Sequence, residues 1–159
     1  MSVDFGQFRV RVLRPVLGHL GLDSPVAEAL VLGTMAQESG GVYLAQKGSG
    51  PALGLFQIEP HTEADVWENY LQYRSDLAAR VRALVAQAPE RALQLASNLA
   101  YGTAICRIIY ARVPAPLPPV VDPTLLGRYW KQHYNTPGGA GTVDQFIASY
   151  RRLVAPVLG

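Results

Sequence analysis

The stretch from Pro25 to Ser39 constrains the fold more than any other part of the chain. Val26, Ala29, Leu30, Leu32, Met35 and Ala36 leave it apolar on almost every side, so no face is suited to water. A helix of that kind holds only when neighbours cover it all round, which makes it the central, buried helix of a helical domain. Ser24-Pro25 supplies an N-cap and a first-turn proline, and Gly40-Gly41 supplies a left-handed exit. The 159 residues suffice for one domain, 1–159, with a single core around that helix.

The flanking segments supply the cover. Phe5, Phe8, Val12, Val16 and Leu20 recur at helical spacing and predict a first amphipathic helix ending at Gly21. From Gly40 to Pro60 the chain is rich in Gly and includes Pro51, which predicts a loop or a small, poorly formed β-hairpin. Thr62, three residues before Asp65, resembles a capping box opening a helix through Trp67, Tyr70 and Leu71. Further helical patterns run over 75–87 and 89–112, the second a long helix buried from Asn98 to Ile109. Four prolines between Pro114 and Pro119 mark a stiff connector. Asp122-Pro123 opens a helix ending near Tyr134, and Thr142 with Gln145 forms a capping box for a last helix over 143–157. The expected fold is mainly α, with one small loop or β lobe between Gly40 and Pro60.

Composition removes several classes of function. With 49% hydrophobic and 16% charged residues, the chain is a folded globular protein rather than a disordered one. A net charge of +2 is too small to indicate nucleic acid as a partner, though it suits loose attraction to an anionic surface. No apolar stretch is long enough to insert stably into a bilayer. The N-terminus lacks a basic segment followed by an apolar one, so synthesis in the cytoplasm without a signal peptide is expected. Cys106 is the only cysteine, which excludes an intrachain disulfide, and its apolar neighbours Ala104, Ile105, Ile108 and Ile109 predict a buried structural thiol. His19, His61 and His133 show no metal-ligand spacing, and Gly48 to Gly54 lacks the ending of a phosphate loop, so neither metal nor cofactor is expected. Trp67 and Trp130 stand at helical spacing among apolar residues and are assigned to core packing.

Glu38 stands apart. It lies at the C-terminal end of the buried helix, where apolar surroundings and the negative end of the helix dipole both favour the protonated carboxyl. Cleavage of a glycosidic bond needs such a group, because the leaving oxygen must receive a proton. Taken alone, its position is more often that of a carboxylate reaching solvent at a frayed helix end.

Glu38-Ser39-Gly40, followed by Gly54-Leu55-Phe56-Gln57-Ile58, Pro60 and Thr62, resembles the active-site signature of soluble lytic transglycosylases and goose-type lysozymes. Phe56 replaces the usual Met of that signature. Asn98-Leu99-Ala100-Tyr101-Gly102 resembles the Asn-x-x-x-Gly element of the group, and Tyr134-Asn135 its Tyr-Asn-x-Gly element, here with the Gly displaced to Gly138. The likeness spans about two-thirds of the chain and is nearer to phage and prophage members.

The resemblance implies an α+β lysozyme-like domain whose lobe at Gly40–Pro60 forms one wall of a glycan cleft. It implies cleavage of the β-1,4 bond between N-acetylmuramic acid and N-acetylglucosamine in peptidoglycan strands by a monomer. Glu38 would act first as acid and then as base. Ser39, Gly54, Gln57, Glu59, Asn98, Tyr134 and Asn135 would bind substrate. Asn98 has an equal alternative as a structural hydrogen-bonding residue, and Thr62 reads as a helix cap. One carboxylate suffices where the sugar's own 6-hydroxyl attacks, as in lytic transglycosylases; a hydrolytic muramidase would recruit a second, with Glu59 the first candidate. A non-catalytic, lysozyme-like phage structural module is the remaining alternative. The phage likeness implies action on the wall from the periplasm after release through a holin, or from the virion as a tail-associated lysin.

Overall fold

The computed structural model describes residues 1–159 and is mainly helical. Asp4 caps α1 (Phe5–Phe8) by accepting from the Gln7 N–H, and α1 continues through a π turn (Arg9–Leu13) into α2 (Arg14–Leu20). The wider turn lies just ahead of Pro15, whose ring has no N–H to give and would crowd the carbonyl of a regular preceding turn. Gly21, at φ 69°, ends α2.

Ser24 Oγ accepts from the Ala27 N–H and opens α3 (Pro25–Glu38), with Pro25 in the first turn. Every residue of α3 from Ala29 to Ala36 is buried, in keeping with its all-round apolar sequence. Gly40, at φ 61°, turns its N–H back onto the Met35 and Ala36 carbonyls and closes the helix.

Three helices enclose α3: α7 (Leu99–Ala111), α8 (Pro123–Trp130) and α9 (Val143–Leu153). Phe146 of α9, fully buried, sits between Gly33 of α3 and Gly127 of α8. A Cβ on Gly33 would fall 2.5 Å from Phe146 Cζ, so glycine is what lets the two helices approach. On the other side Thr34 Oγ1 meets the Tyr110 hydroxyl of α7 at 2.7 Å. Cys106 lies wholly inside α7.

The segment from Gly40 to Glu59 forms no strand. Two isolated antiparallel bridges, Ala45 with Leu53 and Leu53 with Ile58, are its only ladder pairings. Several boundaries differ from the sequence reading. Pro60 starts α4 (Pro60–Asn69) two residues before Thr62, Glu59 holds the N-cap position, and Thr62 lies inside the first turn, capping nothing. The helix begun at α5 (Ser75–Arg82) stops five residues short of Gln87. The long helix expected over 89–112 is broken: a 3-10 turn (Arg91–Leu93) leads into α6 (Gln94–Ser97), and Asn98 leaves helical geometry at φ −120°, ψ 99° before α7. The last helix also divides, α9 giving way at Val154 to α10 (Ala155–Leu158), because Pro156 cannot donate to the turn before it. No helix is long and apolar enough to cross a membrane.

Glu63 is an unexpected part of the frame. In the first turn of α4, it is 2% exposed, pairs with Arg91 Nε at 2.5 Å and accepts from the Tyr101 hydroxyl. Tyr101 in turn accepts from Trp67 Nε1 at 2.9 Å, so α4, α7 and the 3-10 turn are tied by one buried polar chain.

Candidate active site

α3 carries Glu38 out of the core and delivers it to the floor of a polar cavity of about 1300 Å³. Ser39, Gln57, Glu59, Tyr134 and Asn135 also line that cavity, so five of the seven expected substrate residues meet around the expected acid. Gly54 and Asn98 do not line it.

Glu38 is half-buried. Burial pushes its carboxyl from 4.5 up to about 7, against the opposing pull of a hydrogen bond from Trp130. Trp130 Nε1 donates to Glu38 Oε1 at 2.9 Å. The indole is almost fully buried and packs on Phe146 with ring centroids 5.5 Å apart, while Gly141 leaves room for its outer edge. The donor is therefore rigidly held. The carbonyl oxygen of a carboxylic acid is a better acceptor than its hydroxyl oxygen, so the Trp130 N–H favours the protonated form that carries its proton on Oε2. The site thus holds a carboxyl whose pKa burial raises to about 7, with Oε2 the oxygen left to carry the proton.

The hydroxyls of Ser39 and Tyr134, expected to meet substrate, bind backbone carbonyls. Ser39 Oγ donates to the Leu55 carbonyl at 2.6 Å and accepts from the Gly41 N–H. The Tyr134 hydroxyl donates to the Phe56 carbonyl at 2.6 Å, with its ring stacked on Tyr110. Burial drives the Tyr134 hydroxyl well above its ordinary range, so it stays protonated and stays a donor. Together Ser39 and Tyr134 bind successive carbonyls and fix the turn from Gly54 to Ile58 against the end of α3. Gln57 stands on that turn at φ 49°, its Nε2 donating to the Gly54 carbonyl at 2.9 Å.

Gly54 is explained by packing rather than by a ligand. At φ 79° it passes so close to α6 that a Cβ would lie 1.9 Å from the Leu95 carbonyl oxygen. Asn98 is likewise held within the frame. Its Oδ1 caps α7 at the Tyr101 N–H, and its Nδ2 donates to the Leu84 carbonyl and Gln94 Oε1. All its polar atoms are occupied inside the frame, which is the structural alternative of the sequence reading.

Asn135 ends a π turn (Lys131–Asn135) that continues α8, and its Oδ1 accepts from Lys131 Nζ at 2.7 Å. The residue with the left-handed backbone there is Thr136, at φ 76°, ψ 149°. For a β-branched residue that conformation is strained. Gly138 and Gly139 follow, and a Cβ on Gly139 would lie 2.5 Å from Asn135 Oδ1.

Glu59, 40% exposed at its side chain, pairs with His61 Nδ1 at 3.0 Å. No group of three or more His, Cys, Asp or Glu is arranged to hold a metal ion. The sequence reading missed Trp130 as a partner of Glu38. It lies 92 residues away, and core packing, which it also performs, was the whole of its visible signal. Tyr43, Lys47 and Arg152 also line the cavity and had no motif to announce them.

The fold and the site define a mainly helical protein with a partly buried carboxyl of raised pKa facing a polar cavity. Compared with protein-family models, curated proteins and solved structures, the chain matches none.

Proposed function

We propose that the protein is a peptidoglycan-cleaving enzyme of the lysozyme-like kind, acting as a lytic transglycosylase with Glu38 as its single catalytic carboxyl. The observation that carries the reading is the acid itself: a carboxyl with a pKa of about 7, pinned at one oxygen by Trp130 and open to a large polar cavity. A general acid poised near the working pH gives and takes back a proton with least loss in either direction. On this reading the Gly40–Glu59 segment and α9 are the walls of a glycan cleft, and the order of motifs along the chain supports the same assignment.

The chemistry needs no second carboxylate. Glu38 gives the proton on Oε2 to the glycosidic oxygen as the bond from muramoyl C1 breaks, releasing the 4-hydroxyl of N-acetylglucosamine. The carboxylate left behind takes the proton from the muramoyl 6-hydroxyl as O6 bonds to C1. The product carries a 1,6-anhydro end, and the acid is restored.

One observation favours the hydrolytic alternative. Glu59 lines the same cavity, so a carboxylate is at hand to activate water. Against it, Glu59 is only half-buried and is engaged with His61. Mass spectrometry of digested wall material separates the two: anhydro ends are expected, and reducing ends with loss of activity in Glu59→Gln would assign a hydrolase. Glu38→Gln should lose at least about a hundredfold in rate, the scale of a general acid's contribution. A variant that clears purified peptidoglycan as fast as wild type would leave the non-catalytic module as the reading. The remainder of the setting, a phage or prophage lysin reaching the wall through a holin or from a virion tail, belongs to the same proposal.

A further inference from the structure

A second hollow, of about 420 Å³, opens beside the main cavity and shares Gln37, Ser149 and Arg152 with it. Gln145 and Ala148 complete its lining. Gln145, Ser149 and Arg152 fall at i, i+4 and i+7 of α9, one stripe of that helix, and Gln37 faces them from the last turn of α3.

The hydrogen bonds already made there decide what the hollow can offer. Gln37 Oε1 accepts from Ser149 Oγ at 2.9 Å, and Gln145 Oε1 accepts from the Thr142 N–H at 3.0 Å. Both amide oxygens are thus engaged, and both NH2 groups are left as donors. Arg152 takes part in none of the chain's ion pairs, which use Arg9, Arg14, His61, Arg91 and Arg112. No carboxylate lines the hollow. Two amides and one exposed guanidinium thus line the hollow with N–H donors that no protein group occupies.

From this donor set we infer that the hollow between α3 and α9 is a carboxylate subsite, reading an acidic branch of a ligand whose trunk lies along Glu38. On the peptidoglycan reading above, on which this assignment rests, the branch is the short peptide carried by the muramic lactyl group, with its free carboxylate. Arg152 is the specificity-determining residue, because a guanidinium meets a carboxylate with paired, charge-assisted N–H donors. Gln37 and Gln145 add neutral donors that fix its position.

The test uses the whole chain carrying Glu38→Gln, labelled with nitrogen-15, and N-acetylmuramyl-L-alanyl-D-isoglutamine as the acidic probe. Its neutral diamide is the control. The side-chain NH2 signals of Gln37 and Gln145 and the Arg152 Nε–H should shift with the acid, and the diamide should bind several-fold more weakly. Arg152→Gln, an exposed substitution, should weaken binding of the acid by about three- to tenfold, as expected for one partly solvated charge pair. Equal binding of acid and diamide, no shift at these three groups, or an Arg152→Gln variant that binds the acid as before would overturn the assignment. Cleavage of peptidoglycan by wild type is measured alongside. Acid-selective binding without any cleavage would sink the enzymatic reading and leave the subsite standing, whereas cleavage without acid selectivity would sink the subsite alone.

Discussion

At the scale of single residues, Glu38 and Trp130 form the unit whose behaviour is most directly measurable. The Glu38 carboxyl titrates at about 7 in the folded chain against 4.5 as its ordinary value. Between those pH values the folded state holds more protons than the unfolded one, so stability falls as pH rises through the window and levels off above 7. Glu38→Gln removes that fall while keeping an oxygen for the Trp130 N–H. The variant should match wild type below pH 4 and exceed it by about 1–3 kcal/mol above pH 8, a figure reduced for the partial exposure of the group. Urea unfolding at the two pH values checks this, and a constant difference would show that Glu38 is not the titrating group. Trp130→Phe removes a donor that favours the carboxylate, so the carboxyl pKa should rise above 7. The rise should be about half a pH unit or more, the equivalent of a hydrogen bond worth roughly 1 kcal/mol. A carbon-13 titration of the Glu38 carboxyl reads it without needing substrate.

At the scale of elements, the decisive feature is the break between α6 and α7. Periodicity alone runs the apolar pattern straight through Asn98, because Leu95, Leu99 and Cys106 keep helical spacing across it. What interrupts the helix is the hydrogen bonding of one side chain, which caps α7 and holds the Leu84 carbonyl and Gln94. Asn98→Ala should therefore lower stability by about 1–3 kcal/mol, a cap together with a buried carbonyl left short of its donor. The rate per folded molecule should not change, and kinetics corrected for the folded fraction would expose any direct role in binding. Other boundaries were legible from local chemistry. Ser24-Pro25, Asp122-Pro123 and the Thr142–Gln145 capping box all occur as read, since each is completed within four residues. Thr62 failed because Pro60, equally local, is the stronger start signal.

At the scale of the molecule, Phe146 links frame and site. It fills the space left by Gly33 and Gly127 and backs the indole that holds Glu38. Phe146→Ala should destabilise the protein by about 3–5 kcal/mol through the cavity it opens. It should also loosen Trp130, so the carboxyl pKa moves in the same direction as in Trp130→Phe. Calorimetry together with the same carbon-13 titration reads both effects; a stability loss with the Glu38 titration unmoved would separate core from site. Glu63, Arg91, Tyr101 and Trp67 tie the opposite side of the bundle in a similar way, away from the cavity.

By itself the sequence determined that the chain is helical, that α3 is its buried centre, and that Glu38 leaves that centre at a glycine exit. Those properties follow from side-chain periodicity and from caps closed over a few residues. It also named Gln57, Glu59, Tyr134 and Asn135 as neighbours of Glu38. Only the tertiary structure decided what each of them touches. Ser39 and Tyr134 bind carbonyls of the 54–58 turn, Gly54 makes way for the Leu95 carbonyl, and Trp130 reaches Glu38 across 92 positions. The reason is physical: burial and hydrogen bonding between distant segments depend on how α3, α8 and α9 close around Phe146, and no local pattern in the chain carries that information.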